Sequence, residues 1–282
     1  METAFARTVW HGLEALHAVT YFAPESREAN REVGLRGFWM GYFAARAAPL
    51  GAVAAGVVEA AFFNFHPAMV RRAIPSAWEF AAPEAVLHAR QKAAAAALRR
   101  IAPAVGETAV ELLPLLGRTI AAADGAGRSL FAANRGLPTP DDHVSALWQA
   151  ATALREHRGD GHVALLTAEG LNGCEAHVLF AACRDAPVEI LRDNRGWSTQ
   201  DWQAATSGLT ARGLLKNGHP TSEGRALHTH VEVRTDSLAA VPYLALTQSE
   251  ADRLLGSLSV LADQVFTSGT IPFPNPMGLP SR

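Results

Sequence analysis

Lysine, cysteine and long hydrophobic runs are all scarce in this chain. Its lysines are Lys92 and Lys216, and its formal net charge is −2 because 25 basic residues face 27 acidic ones. Such a chain has no overall positive field to attract nucleic acid or anionic lipid, so either would need a local basic patch. The longest charge-free apolar stretch, residues 47–58, is shorter than the roughly 20 residues of a membrane helix. We therefore expect no membrane partner.

The two cysteines, Cys174 and Cys183, lie nine residues apart, which fits neither a metal knuckle nor a disulfide framework. The N-terminus lacks the basic start of a signal peptide. These features predict a cytoplasmic protein in a reducing compartment.

Established catalytic strings are missing too. The sequence contains no G-x-S-x-G, no H-E-x-x-H, no P-loop and no G-x-G-x-x-G ahead of a strand. The corresponding enzyme classes lose support, and whether the chain is an enzyme stays open.

Apolar residues are abundant, at 49% against 18% charged, which is typical of a folded chain. They recur at helical spacing over most of the first 185 residues, and a glycine- and proline-containing run at 125–140 divides two helical halves. We predict an all-α protein with a small β-wing. Its domains are an N-terminal helical domain (1–135), a winged-helix-like domain (141–270) and a proline-rich tail (271–282).

The segment 197–227 contains an ordered set of motifs: L-x-x-R-G-L, a turn with strand signals, and T-x-x-G-R. The matching residues are Leu209, Arg212, Gly213, Leu214, Thr221, Gly224 and Arg225. This order resembles the second half of a winged helix of the MarR type, over about residues 142–265. The resemblance implies a two-stranded wing, a long dimerisation helix over 222–239, a last helix over 249–265 and hence a homodimer.

Three more segments, HAVTYFAPE, LRGFWMGYFAARAAPLG and LREHRGDGHVA, resemble a family of actinobacterial proteins that carry such a helix-turn-helix. That resemblance implies a fold and a lineage and supplies no reaction. A weak internal repeat aligns residues 36–44 with 158–164 and Trp10 with Trp148. A duplication of this kind predicts two facing halves with a shared cleft.

The most concentrated polar cluster is R-E-H-R-G-D-G-H at 155–162. Because unpaired charges are costly to bury, this string predicts either an exposed junction or the wall of a polar pocket. Its glycines predict a helix break, with Asp160 capping a helix that begins near His162. The candidate catalytic residues are His157, Asp160 and His162.

Three kinds of site are open. The imidazoles of the cluster, with His177 and Asp160, would bind a divalent metal. Arg158 with a nearby histidine would bind an anionic small molecule and exchange a proton with it. His17, with Tyr21 one helical turn later, would ligate haem. The cofactor, whether haem, flavin, metal or none of these, is left open.

Aromatic residues concentrate between residues 21 and 65. Trp39, Tyr42 and Arg46 share one helix face, which suits a planar, partly anionic ligand, although core packing with Arg46 reaching solvent competes with this interpretation. The candidate ligand-binding residues are His17, Tyr21, Trp39, Tyr42, Arg46 and Arg158.

The predicted recognition helix, 198–212, carries no net positive charge. DNA contacts would fall to Gln203, Arg212, Lys216 and Arg225, too few for the usual set of phosphate contacts. We therefore favour a winged helix used for architecture and dimerisation. The favoured function is binding, with or without transformation, of a small molecule in a cleft between the halves. The alternatives are a MarR-like ligand-responsive DNA-binding regulator and a metal-dependent enzyme that uses His157 and His162.

Overall fold

A computed structural model describes residues 3–277, and helices dominate it. The first half contains α1 (Thr3–Phe22), α2 (Pro24–Glu32), α3 (Gly37–Ala47), α4 (Ala55–Phe62), α5 (Pro67–Arg71), α6 (Ala77–Phe80), α7 (Pro83–Ile101), α8 (Val105–Ala122) and α9 (Ser129–Arg135). The second contains α10 (His143–Ala168), α11 (Gly173–Arg184), α12 (Val188–Asp193), α13 (Thr199–Ala211), β1 (Leu215–Lys216), β2 (His219–Pro220), α14 (Ser222–Ala240) and α15 (Gln248–Thr267). Short 3-10 turns cover Ala48–Leu50 and Val241–Ala245. The predicted all-α class with a small β-wing is confirmed.

Local capping chemistry sets where the C-terminal helices begin. At the start of α10, α11, α13, α14 and α15 the N-cap side chain accepts a hydrogen bond from a backbone N–H in the first helical turn. These N-cap residues are Asp142, Asn172, Ser198, Thr221 and Thr247 respectively. In α11, α13 and α15 a carboxylate three residues later completes a capping box. The helices predicted at 222–239 and 249–265 are present as α14 and α15.

One hydrophobic core joins the two halves. Buried apolar side chains of α1, α7 and α8 pack against those of α10 and α15. A second core lies among α3 to α7, and a third holds α11, α13, the wing and α14 together. The predicted boundary near residue 140 therefore separates two flanking units but runs through the central core. The domain division stays a prediction, and residues 278–282 of the predicted tail lie outside the described residues.

Helix α10 runs unbroken through the polar cluster, so the predicted helix break is wrong. A Cβ on Gly161 would lie 2.6 Å from Nη1 of Arg128, whose guanidinium donates to the His157 carbonyl. The glycine thus allows a close approach within a continuous helix. Asp160 caps a different helix, because its carboxylate accepts the Phe131 N–H in the first turn of α9 at 2.9 Å.

The repeat alignment of residues 36–44 with 158–164 also fails. The first segment begins helix α3, whereas the second lies inside α10. Trp10 and Trp148 do lie in comparable places, on α1 and α10, which pack against each other in the central core.

The wing is a short antiparallel pair in which Leu215 faces Pro220 and Lys216 faces His219. Asn217 and Gly218 both have positive φ, as a two-residue hairpin turn requires. A Cβ on Gly224 would lie 2.1 Å from the Leu214 carbonyl oxygen. The glycine of T-x-x-G-R therefore lets α14 start directly against the chain that leads into the wing.

The helices assigned to dimerisation pack within the chain. Helix α14 lies against α1 and α10, and α15 lies against α1 and α8. Because their inner faces are covered by α1, a second copy of the chain could contact only the outer faces of α14 and α15 unless α1 moved. The homodimer stays a prediction.

Within residues 3–277 no single helix has the length and apolar composition of a membrane span. The segments Gly37–Leu50 and Ala55–Phe62 reach that composition together, as a pair bent by 93°.

Candidate ligand-binding cavity

A cavity of about 500 Å³ lies between the two halves. Its walls come from α1, α3 and α4 on one side and from α10, α11, α12 and α14 on the other, with part of the segment 272–277 at its edge. This volume is in the range of cavities that bind small organic molecules.

Aromatic rings cover much of the wall contributed by the first half, and four of them cluster around Tyr42. The Tyr42 ring lies 4.7 Å from that of Tyr21, 5.6 Å from that of Trp39 and 5.4 Å from that of Phe65, measured between centroids. The rings contact one another and also line the cavity. A flat apolar ligand would find a preformed surface there.

His17 lies behind this wall and fixes the hydrogen-bonding direction of Tyr21. The Thr152 hydroxyl donates to the Trp148 carbonyl, so it accepts from Nδ1–H of His17 at 2.9 Å. Nε2 of His17 is then the acceptor for the Tyr21 hydroxyl at 2.7 Å. Both ring nitrogens of His17 have hydrogen-bond partners within the protein, and haem ligation by this residue stays a prediction.

Arg46 is engaged in a buried ion-pair chain and does not reach solvent as the core-packing interpretation expected. Its Nε and Nη2 donate to the two carboxylate oxygens of Glu156, each at 2.9 Å, and its guanidinium lies over the Phe62 ring. Arg155 donates to the same carboxylate at 2.9 Å and to Glu14 at 3.0 Å. In this ion-pair network the two guanidinium groups are matched by two carboxylates.

A second ion-pair group links α1, α10 and α14. Arg158 donates to Asp236 at 3.0 Å and lies over the Trp10 ring at 4.2 Å. Arg7 donates to the other Asp236 oxygen at 2.8 Å and pairs with Glu232 at 2.6 Å. Each group contains as many carboxylates as guanidinium groups. The charges of Arg46 and Arg158 are therefore already neutralised by residues of the protein.

His162 presents one nitrogen to α14. The Thr235 hydroxyl donates to the Val231 carbonyl and therefore accepts from Nδ1–H of His162 at 3.0 Å. Burial lowers the pKa of His162 to about 4, with Glu232 opposing and Arg158 adding to the shift. The ring is neutral at pH 7, and its Nε2 is an acceptor with no hydrogen bond to any residue between 3 and 277.

The predicted site residues fall into two groups. Those that line the cavity are Tyr21, Trp39, Tyr42, Arg46, Arg158 and His162. His17, His157 and Asp160 lie outside its lining, with His157 packed edge-on against Phe131 at 4.9 Å. Their roles in binding or catalysis stay predictions.

The metal hypothesis lacks a ligand set. Five residues along a helix turn the side chain by about 140°, so His157 and His162 point to different sides of α10. In the part of the chain that the structure describes, no group of three His, Cys, Asp or Glu side chains is arranged to hold a metal ion.

Asn64 and Arg195 also line the cavity and were not selected from the sequence, and His177, selected there as a possible metal ligand, lines it too. Arg195 is 9% exposed and belongs to the turn between α12 and α13. Oδ1 of Asn64, Nε2 of His177 and Nε of Arg195 are buried and have no hydrogen-bond partner among the described residues. The sequence gives no periodic signal for them, because Asn64 and Arg195 lie in connections between helices.

The outer surface of the winged unit is electrically neutral. Gln203, Arg212, Lys216 and Arg225 are all exposed, but both terminal nitrogens of Arg212 donate to backbone carbonyls, those of Gly170 and Glu169. Apart from the buried Arg195, the segment 188–225 has as many basic as acidic residues. The basic ones are Arg192, Arg212, Lys216 and Arg225, and the acidic ones are Glu189, Asp193, Asp201 and Glu223. This surface lacks the basic excess that usually supports phosphate contacts.

Comparison with protein families finds one match, to a model described as a helix-turn-helix family, over residues 6–272. No curated protein and no solved structure matches the chain.

Proposed function

The chain belongs to this helix-turn-helix family, and we propose that it binds a small organic molecule in the cavity between its two halves. The observation that carries the proposal is the cavity of about 500 Å³ with an aromatic wall on one side and polar groups on the other. Such a combination of apolar surface and a few convergent polar groups is typical of ligand sites.

Fragment binding tests this proposal. Ligand-observed NMR with a library of small aromatic acids, amides and alcohols should find binders of the wild-type protein. His162→Ala should weaken them about five-fold, because it removes a wall ring and one acceptor. The same substitution at His219, which is exposed on the wing, is the control. A library without a single binder, or affinities unchanged in folded His162→Ala, would reject ligand binding at this cavity.

DNA binding is the second candidate, and the family match favours it. A structural observation links it to the cavity: Asn194 and Arg195 line the cavity and also form the turn that precedes α13. A molecule bound there would contact the helix-turn-helix directly. On this proposal the protein is a ligand-responsive regulator, and the neutral charge of the surface is the observation against it.

A gel-shift experiment separates the two candidates. The DNA-binding function predicts that wild type retards duplexes selected from a random pool and that Arg212→Ala/Lys216→Ala/Arg225→Ala loses this. The salt dependence, log K against log[salt], should become shallower by up to about three. The control triple variant, Arg27→Ala/Arg72→Ala/Lys92→Ala, removes the same charges from exposed positions outside the winged unit. Wild type that retards no duplex at low salt would exclude DNA binding.

A further inference from the structure

Arg195 is the cation of the cavity wall that is both buried and without a carboxylate partner in the chain between residues 3 and 277. Its terminal nitrogens donate to backbone carbonyls, Nη1 to Asn194 at 3.3 Å and Nη2 to Pro276 at 2.7 Å. Its guanidinium lies over the Phe65 ring at 4.6 Å, and its Nε–H has no acceptor. An arginine stays charged even when burial lowers its pKa, as it does here, so a full positive charge is held at this point of the wall.

The surrounding pairs do not neutralise this charge. Arg46 and Arg155 are matched by Glu156 and Glu14, and the pairs of Arg7 and Arg158 with acids of α14 are likewise complete. A buried charge without a counterion is unfavourable, so an anion beside it would be stabilised. Among the buried side chains of the cavity wall, Arg195 therefore supplies one excess positive charge, which suits a ligand with one negative charge.

Two further polar atoms lie at the same end of the cavity. Burial, together with the charge of Arg195, lowers the pKa of His177 to about 3, and a hydrogen bond with the Asn64 backbone opposes this shift. Asn64 adjoins them, because the Trp197 indole donates to its carbonyl at 2.9 Å and His66 N–H donates to the Arg195 carbonyl at 2.8 Å. Oδ1 of Asn64 and Nε2 of His177 have no partner within the described residues.

We propose that Arg195 binds the carboxylate of a small planar monocarboxylic acid whose ring lies against Phe65, Tyr42 and Trp39. The Tyr42 and Phe65 rings lie 5.4 Å apart and the Phe65 and Trp39 rings 6.2 Å apart, so the aromatic surface begins beside the guanidinium and extends away from it. A carboxylate beside the guanidinium would give the buried charge its counterion, and a flat ring would occupy the neighbouring apolar wall. This inference rests on the proposed ligand-binding function and assigns its chemical class.

Benzoate and its neutral isostere benzamide test the inference on the unmodified full-length chain. Isothermal titration calorimetry should give benzoate at least a ten-fold higher affinity than benzamide, since a charge-assisted hydrogen bond distinguishes them. Equal affinities, or benzoate that does not bind, would overturn the carboxylate assignment. Inorganic phosphate should fail to displace benzoate, and displacement with similar affinity would overturn the planar-acid assignment, because charge alone would then be recognised.

Arg195→Met adds a residue-level test. It should weaken benzoate binding by about 10- to 100-fold and leave benzamide binding unchanged. Arg72→Met, at an exposed arginine that does not line the cavity, is the matched control. A folded Arg195→Met protein that binds benzoate like wild type would overturn the inference, and the wild-type comparison decides it if the variant does not fold. Neutral fragments that bind without any preference for acids would leave the proposed function standing while the inference fails.

Discussion

Replacing Glu156 with glutamine should lower the free energy of unfolding by about 3–5 kcal/mol, because two guanidinium groups would then face a neutral amide in the protein interior. Glu156 is 1% exposed and accepts hydrogen bonds from Arg46 and Arg155. Burial alone would raise the pKa of Glu156, but the two cations outweigh it and hold that pKa well below its ordinary value of 4.5. Equilibrium unfolding in urea measures the loss.

Glu28→Gln is the matched control for this prediction. Glu28 pairs with Arg31 one helical turn away, and both side chains are largely exposed. Its replacement should cost less than about 0.5 kcal/mol. Adding Arg46→Met to Glu156→Gln should recover part of the stability, because it removes one of the uncompensated charges. A Glu156→Gln protein as stable as its control would contradict the view that this carboxylate holds the halves together.

Local sequence signals predicted the winged unit well because its determinants are short-range. Asn217-Gly218 forms the wing turn, and Thr221 of the T-x-x-G-R motif caps α14. Each signal depends on atoms within a few residues of one another. Their positions along the chain therefore gave both the order and the approximate bounds of the elements.

The polar cluster on α10 shows where local reasoning fails. Glycine between charged residues favours a helix break by propensity alone, yet the helix continues because its charges are paired with distant residues. Arg46 precedes Glu156 by 110 residues, and Asp236 follows Arg158 by 78. No spacing rule reveals pairs of this separation. The same sequence therefore looks exposed until the tertiary partners are known.

The prediction of site residues was limited in the same way, because tertiary contacts cannot be derived from local sequence. The aromatic wall was found because Trp39 and Tyr42 share a helical face, whereas Arg195 lies in a connection whose orientation is set by contacts with the first half. Arg46 and Arg158 were predicted to bind a ligand, but both have carboxylate partners in the fold. The sequence thus identifies the cations, but only the tertiary structure shows which of them lacks a carboxylate partner.

Stability should fall steeply when the pH is lowered from about 7 to 4. Burial lowers the pKa of His11 and His228, and it lowers the pKa of four more histidines well below the ordinary 6.5: His157 and His162 to about 4, His177 to about 3, and His17. The unfolded chain takes up these protons first, so the stability present above pH 6.5 is lost as the pH approaches the folded-state values. The combined loss should be several kcal/mol.

Asp160 works in the opposite direction over part of this range. Burial raises its pKa to about 6 from an ordinary 3.8, so the folded protein binds this proton first and gains stability as the pH falls between these values. Because Asp160 is one group and the four histidines act in the opposite direction, it reduces the dependence of the unfolding free energy on pH without reversing its sign. Urea unfolding at pH 7.5, 6.5, 5.5 and 4.5 measures the net effect, and equal stability at all four values would contradict the burial of neutral histidines.

His157→Phe isolates one proton of this linkage. The His157 ring packs edge-on against Phe131, and a phenyl ring keeps nearly the same shape and contact. Between pH 6.5 and 4, a group that is protonated only in the unfolded state changes the unfolding free energy by about 1.4 kcal/mol per pH unit. In the variant, the slope of stability against pH should therefore be smaller by up to this amount. His219→Phe, on the exposed wing, should keep the wild-type slope. If both variants show the wild-type slope, the acid sensitivity does not come from His157, and its ring must be free to take up a proton while the chain stays folded.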